Sequence, residues 1–348
     1  MPSANSSVFF GREVGHDPVE GIRPDRAVRN GGKEEEVRIL LTGGAGFIGS
    51  NVADAYVGEG HELMVIDDLS SGKEGNLPRE ARFVLCDIGS DTAVEAIRSF
   101  RPEVVNHHAA QINVRASVRD PRFDAQVNIL STLRLLEGCR EHGVRKFLFA
   151  SSGGAGYGEQ EAFPAGETHP LRPVSPYGAA KVSVELYLHY YRVQYGLDYT
   201  ALRYANVYGP RQDPHGEAGV VAIFSERFLR GQTAIVNGDG EQTRDYVYVG
   251  DVVRANLAAL ARGSGLAVNV GTGIETSVNT LFRILRELIG SGQEAIHGPA
   301  MPGEQLRSCL ENRMAFDELG WYPEISLEEG LARTVAFFRE KIQSSSTW

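Results

Sequence analysis

The sequence predicts an α/β fold, a doubly wound parallel sheet followed by a smaller C-terminal α/β lobe, and three observations carry that prediction. From Val37 onward, short apolar runs alternate with stretches of helical periodicity, the pattern of repeated βαβ units. The first run feeds directly into a glycine-rich turn that opens a helix. After Asn206 the alternation gives way to the Gly/Pro/Asp-rich loops GPRQDPHGEAG and VNGDGEQTRD between shorter elements, ending in LEEGLARTVAFFREK.

Residues 1–36 precede this pattern. They are rich in Gly, Pro, Asn, Arg and Glu and end in the charge run Lys33, Glu34, Glu35, Glu36, so they cannot bury enough apolar surface to fold alone. They are expected to be a disordered tail. An interaction tail is one reading; a floppy extension or a start codon placed too early is the plainer one. The expected strands are VRILLTG, ELMVID (62–67), RFVLCD (82–87), EVVNHH (103–108), KFLFASS (146–152) and YTALRYA (199–205). Between them, Ile129, Leu133 and Leu136 fall on one helical stripe, and Ser90 is placed to cap the helix carrying Val94 and Ile97. The sheet domain is expected over 37–206 plus about 246–271, and the second lobe over 207–245 plus 272–348.

Composition narrows the function. Thirty-five Lys+Arg against 45 Asp+Glu give a formal charge of −10, the wrong sign for a nucleic-acid binder. No apolar stretch is long enough to span a membrane and no leader pattern opens the chain. Cys86, Cys139 and Cys309 are odd in number and far apart, which argues for reduced thiols in a cytoplasmic protein. His107 and His108 sit at a strand end outside any ligand pattern, so they read as structural and no metal site is expected.

In TGGAGFIGS, Gly43, Gly46 and Gly49 stand at G-x-x-G-x-x-G spacing, while Gly44, Gly46 and Gly49 also satisfy G-x-G-x-x-G. Glycine permits the tight strand-to-helix turn, lets the backbone approach a pyrophosphate, and lets helix and strand pack closely. The helix beginning near Phe47 then offers its first N–H groups to an anion. The second strand ends in Asp67, 18 residues after Gly49, close to the spacing of the acid that holds an adenosine ribose. Asp68 beside it adds a second carboxylate that would repel a ribose 2′-phosphate, so NAD is favoured over NADP. Acids also commonly end strands for turn chemistry alone, and Asp87 is open to both readings.

In SPYGAAKVSVELYLHYY, Tyr177 and Lys181 are four apart at a helix start, which places them on one face. An ammonium beside a phenol favours the phenolate, making Tyr177 a usable acid/base. Tyr187, Tyr190, Tyr191 and Tyr195 on the same helix read as packing residues.

These motifs, with VIDDLSSG, CDI, HHAAQINVRASVRDP, SSGGAGYGE, LRYANVYGPRQDPHGEAG, GDGEQTRDYVYVGDV and PGEQLRS, resemble the extended short-chain dehydrogenase/reductases. Within them they resemble the NAD-dependent nucleotide-sugar epimerases, over Val37 to about Lys341. The resemblance implies a Rossmann-type sheet domain and a catalytic pair at Tyr177 and Lys181. It implies NAD contacts at Gly43, Gly46, Phe47, Ile48, Gly49, Asp67, Asp68, Ser70, Gly72, Asp87, Ile88, Ala109, Ala110, Asn128, Tyr177, Lys181 and Tyr204. It implies contacts to a UDP-sugar at Asn206, Val220, Arg244, Glu304, Arg307 and Ser308, and a homodimer.

The chain departs from the family where a catalytic Ser or Thr is usual, four residues before Tyr157, because Gly153 stands there. Ser152 is the candidate for that hydroxyl; an ordinary strand-end serine is the alternative. The same turn has no acid of the kind that precedes the Tyr-Gly of sugar dehydratases and decarboxylases, which favours simple oxidation and re-reduction at C4. Small Ser308, at a position that in the epimerases limits the sugar's C2 substituent, leaves room for N-acetylated sugars. Another nucleotide-sugar dehydrogenase, decarboxylase, dehydratase or reductase is the alternative enzyme. A non-catalytic NAD-binding regulator is the alternative from another class, disfavoured because Tyr177 and Lys181 are both present.

Overall fold

The computed structural model describes residues 36–215, 219–300 and 305–345; apart from Glu36, the expected tail lies outside the described residues. The chain opens with β1 (Arg38–Thr42), α1 (Phe47–Gly58), β2 (Glu62–Asp67), β3 (Arg82–Leu85), α2 (Asp91–Phe100) and β4 (Val104–His107). It continues through α3 (Val114–Arg119), α4 (Pro121–Ala125), α5 (Ser131–His142), β5 (Lys146–Ser152), α6 (Gly153–Tyr157), α7 (Pro176–Tyr195) and β6 (Asp198–Tyr204). Then follow β7 (Asn206–Tyr208), α8 (Val220–Leu229), β8 (Ile235–Asn237), β9 (Thr243–Tyr248), α9 (Val249–Ala259) and β10 (Leu266–Val270). The last elements are β11 (Glu275–Ser277), α10 (Val278–Ile289), β12 (Ile296–Gly298), β13 (Arg307–Ser308) and α11 (Leu327–Ser345).

Seven strands form one parallel sheet in the order β10-β6-β5-β4-β1-β2-β3. Strand order reverses between β1 and β4, the switch point where such sheets open a crevice at their carboxyl edge. The six expected strands are all present; β10 is the seventh, a five-residue run that periodicity cannot separate from a helix fragment. Both faces are covered, so the centre of β1, Ile39–Leu41, is continuously apolar. Ile39 and Leu41 join the core shared with α1 and α9, and Leu40 joins the opposite core under α2, α5 and α7.

Ser90 caps α2 as expected, its Oγ accepting from Ala93 N at 3.3 Å. The Ile129/Leu133/Leu136 stripe needs correction. Residues Gln126–Leu130 form a π-helical turn, whose extra residue rotates the face; Leu135 and Leu136 are fully buried, whereas Ile129 and Leu133 are half-buried. The tyrosines of α7 need one too, since Tyr191 is buried but Tyr187, Tyr190 and Tyr195 are exposed.

In the second half of the chain, β9 is the hub. β11 runs antiparallel to it, while β13 and β7 pair with it in parallel. α8, α10 and α11 close a third core with Phe224, Phe228 and Phe282 at its centre. No described helix is long and apolar enough to cross a membrane.

Candidate active site

The turn after β1 is fixed by backbone meeting backbone. Gly43 has φ +69°, and a Cβ there would lie 2.5 Å from the Ala109 nitrogen. A Cβ on Gly49 would be driven into the Gly43 carbonyl oxygen, which also accepts from Gly46 N–H at 3.2 Å. α1 then starts at Phe47 behind Gly46, without a side-chain cap, so its first N–H groups have no side-chain acceptor. A glycine-only cradle at a helix N-terminus fits a pyrophosphate. Ala109, whose N–H is held by Thr42 Oγ1 at 3.2 Å, and Ala110 after it border this turn from the end of β4.

Asp67 is buried at the end of β2, where Oδ2 accepts from Ala45 N at 2.9 Å and Oδ1 from Leu69 N at 2.8 Å. The turn chemistry weighed for it is therefore real, and burial pushes its carboxyl up against the pull of those amides. Each oxygen retains acceptor capacity, so a ribose hydroxyl could be added. Gly72 packs so closely that a Cβ would sit 2.9 Å from Asp67 Oδ1. Exposed Asp68 accepts from the N–H and hydroxyl of Ser70, and exposed Asp87 accepts from Gly89 N. Ile88 is buried in the α2 side of the core. Asn128 lies in the π turn, donating to Gln111 O and accepting from Gln111 N at 2.8 Å.

Tyr177 and Lys181 are neighbours, with Lys181 Nζ 5.7 Å from the Tyr177 ring centre and 4.7 Å from that of Phe149. Lys181 is buried and donates to Ala150 O at 2.8 Å. Burial lowers its pKa to about 8, against the opposing charges of Asp124 and Glu185. The phenol differs from expectation: burial, then Asp124, holds Tyr177 above the usual tyrosine range. The ammonium is directed to Ala150, so the protein's own groups do not acidify Tyr177. Ser152 is the N-cap of α6, its Oγ accepting from Ala155 N at 3.4 Å. Gly178 packs tightly on the Ala155 carbonyl, bringing the first turn of α7 against that of α6. Ser152 pairs in register with Tyr204, the last residue of β6; Tyr204 is buried and its hydroxyl accepts from Asn256.

His107 bonds Thr42 Oγ1 at 2.6 Å and Thr132 Oγ1 at 2.9 Å, and His108 faces Asn256 Oδ1 at 3.3 Å. Burial holds both rings neutral, His108 near a pKa of about 4.

Four of the six residues assigned to a sugar nucleotide, Asn206, Arg244, Arg307 and Ser308, lie on β9 or on strands paired with it. Arg244 pairs in register with Ser308, Thr243 with Arg307, and Asn206 with Tyr246 farther along the strand. Ser308 is buried, its Oγ 3.1 Å from where a Gly154 Cβ would stand. Arg307 makes a two-pronged ion pair with Glu275, at 2.9 and 2.5 Å, and lies 3.8 Å from the Phe163 ring centre. Val220 opens α8 half-buried, and Glu304 lies outside the described residues. Buried Asp245, next to Arg244, gathers the amides of Thr272, Gly273 and Leu310 at 2.8, 3.1 and 3.2 Å.

Sequence reasoning missed Glu275, Gln111 and Asp124. The last was signalled only by standing four residues before Asn128, which places it on the same helical face.

The sequence profile of the NAD dependent epimerase/dehydratase family matches residues 39–271. The UDP-glucose 4-epimerase of Mycolicibacterium smegmatis is 49% identical over 313 residues, covering 88% of this chain and 100% of its own. The crystal structure of UDP-glucose 4-epimerase from Thermotoga maritima with UDP-glucose has a TM-score of 0.86 at 53% identity, covering 87% of this chain and 99% of that one. That of the Thermus thermophilus UDP-glucose 4-epimerase in complex with NAD has a TM-score of 0.82 at 46% identity, with the same coverages of 87% and 99%.

Proposed function

The chain belongs to the NAD dependent epimerase/dehydratase family, and we propose that it is a 4-epimerase of UDP-hexoses, interconverting UDP-glucose and UDP-galactose through a transient 4-keto sugar. The observation that carries this reading is the Tyr177–Lys181 pair beside a turn, residues 153–156, that contains no acid. Elimination calls for a second acid/base group beyond the tyrosine.

In this reading residues 37–206 plus about 246–271 hold NAD, with Gly43, Gly46 and Gly49 around the pyrophosphate and Asp67 on the adenosine ribose. When bound, NAD supplies an oxidised, positively charged ring that accepts a hydride and returns it within one turnover. A positive charge in the cleft lowers a phenol pKa, which the protein groups alone do not do for Tyr177. Tyr177 then takes the proton of the sugar 4-hydroxyl and returns it, with Ser152 hydrogen-bonded to the same oxygen. Residues 207–245 plus 272–348, with Asn206 at the border of the first part, hold the nucleotide, through Val220, Arg244 and Glu304 and through Arg307 once it yields Glu275. Firm nucleotide binding with loose hexose binding lets the keto sugar present its other face.

The small pair Ser308 and Gly154 supports acceptance of N-acetylated sugars. Ser308→Tyr is expected to abolish turnover of UDP-N-acetylglucosamine while sparing UDP-glucose; equal losses refute the idea. Exposed Leu186, Tyr187, Tyr190 and Val193 on α7, with Phe123 and Leu130, support a homodimer built on these helices, which sedimentation velocity tests. Three free cysteines support a cytoplasmic setting.

The deciding experiment incubates the purified protein separately with UDP-glucose, UDP-N-acetylglucosamine and UDP-glucuronate and separates the products. An epimer of unchanged mass without net NADH is expected, and Tyr177→Phe should cut turnover by about 10²–10⁴ while NAD is retained. Loss of carbon dioxide or water from the sugar would overturn the reading.

A further inference from the structure

Asp124 is a buried carboxylate that the reaction above leaves unused. It lies on α4, 1% exposed. Its Oδ1 accepts from Gln111 Nε2 at 2.8 Å and from Asn128 Nδ2 at 3.0 Å, while its Oδ2 has no hydrogen-bond partner among the described residues. An unpartnered carboxylate oxygen in a dry site is costly, so packing alone gives no reason for an acid where an amide would serve. α4 packs on α7, and Ser117, just before α4, holds the Tyr177 N–H at 3.3 Å.

We propose that Asp124 is a positioning residue whose buried negative charge holds Lys181 as an ammonium and sets how readily Tyr177 gives up its proton. The proposal rests on the catalytic reading of Tyr177 and Lys181 given above. Asp124 interacts with both groups, in opposite senses: it favours the charged lysine and disfavours the charged phenol. Burial alone drives Lys181 towards its neutral form, and a neutral lysine could not support a phenolate. Burial pushes the Asp124 carboxyl up as well, while the bond from Gln111, the charge of Lys181 and the bond from Asn128 pull it back. As a carboxylate it counters the lysine's loss of charge, and the phenol stays protonated until a cation enters the cleft.

The surrounding groups leave Asp124 this task. On α7, Glu185 also supports Lys181, but its carboxylate is bound to Arg203 of β6 at 2.6 Å and to Ser151. At the end of β4, His107 and the following His108 are neutral through burial. Tyr157 of α6 is tied to Arg203 and Asn269, the π turn contributes Asn128, and Glu137 of α5 pairs with Arg140. Arg115 and Arg119 of α3 and Arg122 of α4 are exposed.

Asp124→Asn is the direct test, because it keeps Oδ1 as the acceptor for Gln111 and Asn128 and replaces only the partnerless oxygen. Removing a negative charge lowers the pKa of both neighbours, so both limbs of the kcat–pH profile of the NAD-loaded enzyme should move to lower pH by about one unit. The ultraviolet phenolate titration of the protein, with that of Tyr177→Phe subtracted, should move the same way with and without NAD. Should the asparagine variant not fold, Asp124→Ser makes the same measurement. Limbs and titration that stay put in a folded variant overturn the proposal. A Tyr177→Phe enzyme that still turns over would instead overturn the catalytic reading beneath it.

Discussion

Two glycine-rich turns border the cleft, and they are built in opposite ways. The turn after β1 has backbone packed on backbone: Gly49 lies on the Gly43 carbonyl and Gly43 on the Ala109 amide. The turn after β5 faces side chains. A Cβ on Gly153 would meet Leu310 Cδ1 at 2.5 Å, and one on Gly154 would approach Ser308 Oγ at 3.1 Å. Peptide atoms in a closed turn cannot retreat, whereas a leucine methyl can rotate. The first turn therefore tolerates one solution, while the second can change with the distant segment that fills it.

The sharpest way to break this contrast is Gly49→Ala. It should abolish NAD retention and turnover, and a variant purified with NAD still bound would contradict the backbone argument. Gly153→Ser should be milder, costing about 1–3 kcal/mol in urea unfolding with NAD retained. It also addresses the missing hydroxyl: if Ser152 serves, the added serine does not raise turnover, and Ser152→Ala in the same background remains impaired.

The smallest effect concerns Lys181. Its folded pKa of about 8 lies below the ordinary lysine value of 10.5, so between those values the unfolded chain binds more protons and stability rises with pH. Lys181→Met should flatten that rise between about pH 8 and pH 10 while losing turnover. An unchanged slope would mean that the lysine is better solvated than its surroundings imply.

The same contrast explains what the sequence disclosed. The first turn was legible because its constraints lie within a few residues: strand, glycines, helix, acid. Tyr177 and Lys181 were legible as an i, i+4 pair. The state of the phenol was not, because it depends on its burial and then on Asp124, which enters from another helix. Arg307 could be named but its Glu275 partner could not, since that contact joins strands 32 residues apart. β10 was hidden because a short apolar run acquires strand character only beside β6. In each case the missing term was a tertiary neighbour rather than a local propensity.

Asp245 ties β9 to the edge of the main sheet, since one carboxylate holds both the corner after β10 and the Leu310 amide. The two cannot drift independently, and any movement of the Leu310 segment must carry that corner with it. Under the proposed function, a change of sugar preference is thus most readily achieved by exchanging the side chains suspended from this rivet, with the path of the chain left as it is.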